Sequence, residues 1–358
     1  MLRNLYVVHH DRPSSFRYDN PSCIENERLL ADLDGYEAAL AFSSGMSAIA
    51  STLLALLNAG DTLLYSSTGY RNIPNLCENI FGRFGVNVIG LPAFNDEKPY
   101  EIISKNAKTG CQVLFLESPS NPHLYLADVE RIRSLVGDDV LIIVDSTLST
   151  PINYQPAKYG ADLVIHSCGK YIGGHADILA GSVSGSVELI ERIRVIRNVA
   201  GTICDPSSSF LLNRSLGSLA IRMRELNERG RKMAAFFQNR ADILKVFHTS
   251  CEEHPGHKLA ARTFSGHGAV VTFEPDLTRQ QTSVFIDSLK LPLMSTNFGA
   301  HISTIEQLAV FTYFKLDPKE RQRLEITDSL VRLSVGIDYP LEALFDDIST
   351  ALELARKA

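Results

Sequence analysis

Residues 140–170 read VLIIVDSTLSTPINYQPAKYGADLVIHSCGK and contain two short apolar runs. The first run, residues 140–144, is followed by Asp145, and the second, residues 162–166, is followed after three residues by Lys170. Short continuous apolar runs bounded by turn residues are typical of strands that are buried on both faces of a parallel sheet. We therefore expect a sheet whose strand ends carry a carboxylate and an amine.

Similar runs precede this stretch, at residues 62–65, 87–91 and 112–116, with helix-like segments between them. This alternation predicts an α/β domain over residues 21–215. A capping box of Ser22 and Glu25 predicts the start of its first helix. Residues 216–358 predict a smaller α+β domain, with a long helical pattern over 207–247, strands at 269–273 and 330–335, and a terminal helix at 341–354.

The composition excludes several classes of protein. Of 358 residues, 45% are apolar and 21% charged, and the net charge is −6. Since no block of like charge is present, we expect neither nucleic acid nor a membrane as a partner. The uncharged stretch between Glu37 and Asp61 contains serines, threonine, asparagine and glycine, so we expect a buried helix there. Six scattered cysteines without a CxxC pair predict no metal site or disulfide framework, and no secretory signal is visible, so we expect a cytoplasmic protein.

Ligands of open parallel sheets bind beyond the carboxyl ends of the strands, so the residues at those ends are candidates for chemistry. The strand at 112–116 is followed by Glu117-Ser-Pro-Ser-Asn121-Pro122. Asp145 is either a helix cap or the partner of a cation in the cleft. Lys170 is either a solvated lysine or a desolvated nucleophile that is able to form a Schiff base.

Ser43-Ser44-Gly45-Met46 precedes an apolar helix predicted at residues 47–57. Such a turn is commonly only a helix cap, but the free N–H groups and the dipole of a helix N-terminus also favour phosphate. A phosphate site, a Schiff-base lysine and a carboxylate for a ring nitrogen are together what pyridoxal 5'-phosphate needs.

The ordered motifs of nearly the whole chain resemble the Cys/Met metabolism enzymes that depend on pyridoxal phosphate, the cystathionine γ-synthase-like or transsulfuration family. The resemblance implies fold type I, similar to aspartate aminotransferase, with a mostly parallel central sheet and a smaller C-terminal α+β domain. The motifs are Arg17 with Asn20-Pro21-Ser22, Ser44-Gly45-Met46, Gly60-Asp61 with Tyr70, Glu117-Ser-Pro-Ser-Asn-Pro122, Val144-Asp145-Ser-Thr-Leu-Ser-Thr-Pro151, Gly160-Ala-Asp, His166-Ser-Cys-Gly-Lys170-Tyr-Ile-Gly-Gly-His-Ala-Asp177 and Leu330-Val-Arg332-Leu-Ser-Val-Gly336.

The resemblance also implies a role for each matching residue. Lys170 would form the internal aldimine, Asp145 would pair with the ring nitrogen, and Tyr70 would stack on the ring and assist the leaving group. Arg332 would bind the substrate carboxylate. The remaining cofactor contacts implied are Ser44, Gly45, Met46, Ser167 and Asn121, with Arg17 reaching in from a neighbouring subunit through an arm at residues 1–20. Such a shared site implies a homodimer or homotetramer.

The chain departs from the family pattern at several positions. Ser15 stands where the family has tyrosine, Gly169 where it has threonine, and Arg71-Asn72 where it has two glycines. Thr296-Asn297-Phe298-Gly299 replaces a Ser-Leu-Gly segment. Ser15 and Gly169 would each remove a phosphate contact, whereas Arg71 and Asn297 would face the substrate. We therefore expect intact cofactor chemistry and an altered substrate specificity.

Three functions are compatible with these residues. The main hypothesis is γ-replacement, in which an activated homoserine loses its γ-substituent through a vinylglycine-type intermediate and a thiol or other nucleophile adds. The alternative is a β- or γ-lyase that acts on cystathionine, methionine or another S-substituted amino acid. A third hypothesis is a degenerate, non-catalytic family member, against which stands the presence of Lys170, Asp145, Tyr70 and Arg332.

Overall fold

The computed structural model describes residues 18–358 and divides them into two compact units. Unit 1 contains the described residues up to Ser118 together with Ala127–Leu219, and unit 2 contains Pro119–Leu126 and Ala220–Ala358. The domain boundaries placed at 20/21 and 215/216 stay predictions, and the predicted arm lies almost wholly outside the described residues. Unit 2 thus includes a short segment that lies between two parts of unit 1 in the sequence.

Unit 1 is built on a seven-stranded, mostly parallel sheet, as the apolar runs predict. The strands have the order β1-β7-β6-β5-β4-β2-β3, and only β7 runs against its neighbours within this described sheet. The sequence reading missed β1 and β7. The strands are β1 (Ala38–Phe42), β2 (Thr62–Ser66), β3 (Asn87–Leu91), β4 (Cys111–Glu117), β5 (Leu141–Asp145), β6 (Leu163–Ser167) and β7 (Gly181–Gly185).

Helices cover both faces of this sheet. One apolar cluster includes Ile49 and Ile190, and the other includes Ile103 and Ile132. The helices of unit 1 are α1 (Pro21–Asp34), α2 (Gly45–Leu56), α3 (Asn72–Leu76), α4 (Lys98–Ala107), α5 (Val129–Val136), α6 (Thr150–Asn153), α7 (Val187–Ala200) and α8 (Pro206–Leu216). Within residues 18–358, none of the helices combines the length and the apolar character that crossing a membrane requires.

The first helix does not begin where the capping box predicts. Its N-cap is Asn20, whose side chain accepts a hydrogen bond from the N–H of Cys23 at 3.0 Å, and Pro21 is the first helical residue. Proline suits this position because its fixed φ is helical and its missing N–H would have no helical partner. The predicted cap at Ser22 is therefore wrong by two residues.

Unit 2 contains a five-stranded sheet with the order β10-β11-β12-β9-β8, mostly antiparallel. Its strands are β8 (Ile243–Phe247), β9 (Val270–Pro275), β10 (Leu293–Met294), β11 (Thr304–Gln307) and β12 (Val331–Ser334). Its helices are α9 (Leu219–Gln238), which begins with the last residue of unit 1, α10 (His257–Thr263), α11 (Arg279–Ser288), α12 (Pro318–Arg323) and α13 (Leu341–Arg356).

The long helical pattern over 207–247 is wrong as a single element. The chain forms α8, ends it with Gly217 as the C-cap, starts α9 at Leu219, and forms strand β8 from Ile243. Strand β8 pairs antiparallel with β9, a strand that follows it further along the chain.

Three side chains of unit 2 form hydrogen bonds with the segment Pro119–Leu126. The Thr272 hydroxyl donates to the Pro122 carbonyl at 2.6 Å, and the His254 ring bonds the His123 carbonyl at 2.8 Å. The Tyr125 hydroxyl donates to a Glu325 carboxylate oxygen at 2.6 Å. The first two contacts fix the backbone directly after Asn121.

The imidazoles of this region are buried in the neutral form. Burial lowers the pKa of His248 to about 3 and that of His123 to about 4. His248 is fully buried, and its ring bonds the Ser250 hydroxyl at 2.7 Å. Because the folded protein resists protonation at these rings, acid favours the unfolded chain.

We predict that the free energy of unfolding of the cofactor-free protein falls as the pH drops below about 6.5, the pKa of an unfolded histidine. His248 alone contributes a loss of about 2 kcal/mol at pH 5. The variant His248→Gln lacks this proton uptake, so its denaturant unfolding curves depend less on pH. Ser250→Ala keeps the imidazole and keeps the pH dependence. An unchanged slope in His248→Gln would contradict the assignment.

Candidate functional site

The carboxyl ends of β4 and β5 place two acidic residues side by side. Glu117 and Asp145 are the last residues of these strands and are paired in the parallel register. The backbone N–H of Ser118 donates to the Asp145 carbonyl at 3.1 Å. Both carboxylates therefore lie at the edge where the sequence predicts the chemistry.

Thr147 connects Asp145 with the end of β6. Its N–H donates to the Asp145 carboxylate at 3.0 Å, and its hydroxyl accepts from the N–H of Ser167 at 2.8 Å. Burial raises the pKa of the Asp145 carboxyl, whereas Thr147 and the charge of His166 act in the opposite direction. A cation placed against this carboxylate would favour the ionised form, because it would offset the burial.

The turn before α2 lies directly against Ser167. A Cβ added at Gly45 would lie 2.8 Å from the Ser167 Cβ, and one at Gly181 would lie 2.2 Å from the Ser44 carbonyl oxygen. Ser44 and Ser47 cap the helix reciprocally. First-turn N–H groups have no partner within a helix, so those of Gly45 and Met46 are placed to bind an anion.

Lys170 lies one turn beyond Ser167. Its N–H donates to the Ser167 carbonyl at 3.1 Å, its own carbonyl accepts from Gly174 at 2.7 Å, and the residue is half-buried. A Cβ at Gly169 would lie 2.8 Å from the Ile178 carbonyl oxygen. The departure from threonine at this position therefore matches a turn that has no room for a side chain.

Glu117 fixes the loop that carries Tyr70. Its carboxylate accepts the N–H of Tyr70 at 2.6 Å, and a Cβ at Gly69 would lie 2.1 Å from the same oxygen. The Tyr70 side chain is 45% exposed, and its oxygen accepts a hydrogen bond from the Asn72 amide at 3.1 Å. Sequence reasoning missed this role of Glu117, although the end of a strand beside Asp145 was a usable signal.

A second group of predicted site residues lies in unit 2 around Arg332. Its guanidinium donates to the Asn121 side-chain oxygen at 2.9 Å and to the Thr296 carbonyl at 2.7 Å. The Glu306 carboxylate lies 2.7 Å from the same guanidinium, and both side chains are buried. Arg332 is thus a buried residue of β12 in a buried ion pair. Glu306 was not recognised from sequence.

The other predicted residues are distributed as follows. Asn297 lies in unit 2, where its carbonyl accepts from the Thr304 hydroxyl at 2.8 Å. Arg71 lies half-buried in unit 1, and Arg17 lies outside the described residues. Unit 1 therefore brings together Ser44, Gly45, Met46, Tyr70, Asp145, Ser167 and Lys170, and unit 2 brings together Asn121, Arg332 and the segment of Asn297.

The residues of unit 1 fit the cofactor that the resemblance implies. Gly45 and Gly181 provide a cradle that a Cβ would fill, next to two serine hydroxyls and a helix N-terminus. Asp145 supplies a buried carboxylate in contact with Thr147 on the same edge. The donor set matches a phosphate on one side and a ring cation on the other.

Comparisons with known proteins agree with this geometry. The sequence profile of the Cys/Met metabolism PLP-dependent enzymes matches residues 10–353. The chain is 35% identical over 341 residues to cystathionine gamma-synthase 1, chloroplastic, of Arabidopsis thaliana, covering 94% of this chain and 59% of the relative. It is 33% identical to cystathionine gamma-lyase of Bacillus subtilis, covering 94% of this chain and 88% of the relative. The chain spans about three fifths of the length of the chloroplastic synthases of Arabidopsis thaliana and Nicotiana tabacum that it matches.

A solved structure shares the fold. The crystal structure of cystathionine gamma synthase from Xanthomonas oryzae pv. oryzae in complex with cystathionine superposes with a TM-score of 0.90 at 30% identity, covering 95% of this chain and 87% of that one. The expected fold type I architecture, with its large and mostly parallel sheet, is confirmed.

We predict that Gly45→Ala weakens cofactor binding. The added methyl group collides with the Ser167 side chain, and overpacking of this kind costs about 1–3 kcal/mol. The dissociation constant of pyridoxal phosphate, measured by absorbance titration, should rise about tenfold or more. Gly82→Ala is the matched control, because its Cβ would meet other atoms only at 3.8 Å and beyond. Unchanged affinity in Gly45→Ala would contradict the assignment of the phosphate turn.

Proposed function

Because the chain belongs to the Cys/Met metabolism PLP-dependent enzyme family, we propose that it catalyses γ-replacement on an activated homoserine. In this reaction the γ-substituent leaves and a thiol takes its place. The observation that supports chemistry at this sheet edge is the continuous contact from Tyr70 through Glu117 and Asp145 to Thr147 and the end of β6. The choice of replacement rests on the similarity to cystathionine γ-synthases.

Bound pyridoxal phosphate withdraws electrons from the amino-acid carbons and so makes their protons acidic. Asp145 holds a proton on the ring nitrogen. The amides of Gly45 and Met46 and the hydroxyls of Ser44 and Ser167 bind the phosphate, with Arg17 of a neighbouring subunit as a further contact. The close approach of the Gly45 turn to the end of β6 supports the assignment of these amides and hydroxyls to the phosphate.

Lys170 and Tyr70 move the protons. The Lys170 amine would hold the cofactor and would carry protons between the α and β positions of the substrate. Its backbone is fixed to Ser167, and that of Tyr70 is fixed to Glu117. The exposed Tyr70 hydroxyl assists the departing γ-group.

Arg332 binds the substrate carboxylate, for which a planar guanidinium is well suited. The Asn121 side chain, whose oxygen accepts a hydrogen bond from Arg332 at 2.9 Å, would supply the cofactor contact that the resemblance implies. Arg71 and Asn297, where the chain departs from the family pattern, are proposed to select the substrate side chain.

The alternative is elimination by a lyase. It is supported by relatives at nearly the same identity, namely the γ-lyase of Bacillus subtilis and the L-methionine gamma-lyase of Fusobacterium nucleatum, 34% identical over 94% of this chain and 85% of the relative. The residues named above serve both reactions. The similarity to γ-synthases of plants and Xanthomonas favours replacement as the main activity.

We further propose a homodimer or homotetramer in the cytoplasm. We propose the oligomer because the resemblance assigns Arg17 to the site of a neighbouring subunit. We propose the cytoplasm because the six cysteines are buried free thiols.

The experiment is incubation with an O-acylhomoserine, with and without cysteine. The expected products are cystathionine and the free carboxylic acid, quantified by mass spectrometry. Lys170→Ala should lower the rate by a factor on the order of 10² to 10⁴, because it removes the proton carrier.

Formation of 2-oxobutyrate and ammonia without any cystathionine, whether or not cysteine is present, would establish the lyase instead. The same preparation is sized by light scattering before the assay. Full activity in a monomer would contradict the shared site.

A further inference from the structure

A buried group of polar side chains lies beside the proposed cofactor site in unit 1. The His166 ring nitrogen Nε2 is 2.8 Å from an Asp34 carboxylate oxygen. The Ser184 hydroxyl donates to the other oxygen of Asp34 at 2.6 Å. All three residues are fully buried. A buried group of this kind is costly unless its charges are matched.

The sheet places His166 next to Asp145. In the parallel register of β5 and β6, Asp145 pairs with Ile165, so His166 follows on the neighbouring strand. The second ring nitrogen of His166, Nδ1, has no well-directed hydrogen bond to any of residues 18–358. The Asp34–His166 pair therefore lies next to the end of β5, which carries Asp145.

The surroundings of the imidazole favour its charged form. Burial acts to lower the pKa of His166, but the charge and hydrogen bond of Asp34, the charge of Asp145 and the Ser146 carbonyl outweigh it, so the pKa is raised. The other groups at this position are neutral. They are the hydroxyls of Ser182 and Ser184 on β7 and the Cys168 thiol, whose pKa burial raises to about 12.

The charges of this group balance only with a further cation. Asp34 and Asp145 as carboxylates and His166 as an imidazolium would together leave one negative charge. A protonated ring nitrogen against Asp145 would complete the balance. The charge of His166 lowers the pKa of the Asp145 carboxyl, so without it burial would favour protonation of Asp145 more strongly.

We propose that Asp34 and His166 are positioning residues that keep Asp145 ionised and thereby keep the ring nitrogen of the bound cofactor protonated. This inference rests on the proposed role of Asp145 but not on whether the reaction is replacement or elimination. Asp34 acts through His166, and neither residue touches the reacting atoms. A neutral Asp145 would lose its attraction for the ring cation, and the ring would withdraw electrons less strongly.

The test uses the holoenzyme reconstituted with pyridoxal phosphate that carries nitrogen-15 in the ring. The nitrogen chemical shift reports directly whether the ring nitrogen carries a proton, and it is followed as a function of pH. In Asp34→Asn the pH at which this proton is lost should fall by on the order of one unit. Ser184→Ala is the matched control, because it removes a hydrogen bond from Asp34 and keeps the charge pair.

Two further variants make every outcome decisive. Asp145→Asn should lose the ring proton at the lowest pH, and a wild-type titration in this variant would refute the role of Asp145 itself. A shift in Asp145→Asn with none in Asp34→Asn would refute only the present inference. If Asp34→Asn does not fold, Asp34→Asn with His166→Gln removes both charges together, and a wild-type titration in that protein would overturn the proposal equally.

Discussion

The contact between the Ser44–Gly45 turn and the end of β6 is the constraint on which the site depends. At this position a single methyl group would collide with Ser167, so the helix N-terminus of α2 and the strand end approach as closely as backbones allow. Thr147 then connects Ser167 with Asp145, and the register of β4 and β5 sets Glu117 beside Asp145. The anion-binding turn, the acidic strand ends and the start of the lysine turn are consequently fixed by one sheet edge.

A common electrostatic pattern occurs in each of the two units. In unit 1 the Asp34–His166 pair lies behind Asp145, and in unit 2 the Glu306 carboxylate is paired with Arg332 across β11 and β12. In both units a buried charged group is thus paired with an oppositely charged group on a neighbouring element. Buried pairs of this type are expensive in desolvation and fix one arrangement of side chains when both partners are present. Removing one partner leaves the other buried and uncompensated.

The sequence was sufficient to locate the residues whose place in the fold follows from their position after a strand. Asp145 and Lys170 follow apolar runs, and the rule for open parallel sheets places them at one edge. Strands β1 and β7 were missed because their alanine, glycine and serine residues carry little strand preference, so their pairing is set by tertiary contacts. Glu117 and His166 contact partners 47 and 132 residues away in the chain. The end of a strand beside Asp145 was a signal for Glu117, but no local pattern marks the contact between His166 and Asp34.

The most direct test of the account is to identify the residue that anchors the cofactor. The purified protein, saturated with pyridoxal phosphate, is reduced with borohydride and digested, and the peptides are mapped by mass spectrometry. The account predicts loss of the visible absorbance and a pyridoxyl phosphate group attached to Lys170. Attachment to another lysine, or a protein that stays colourless with added cofactor, would contradict the assignment of this sheet edge as the active site.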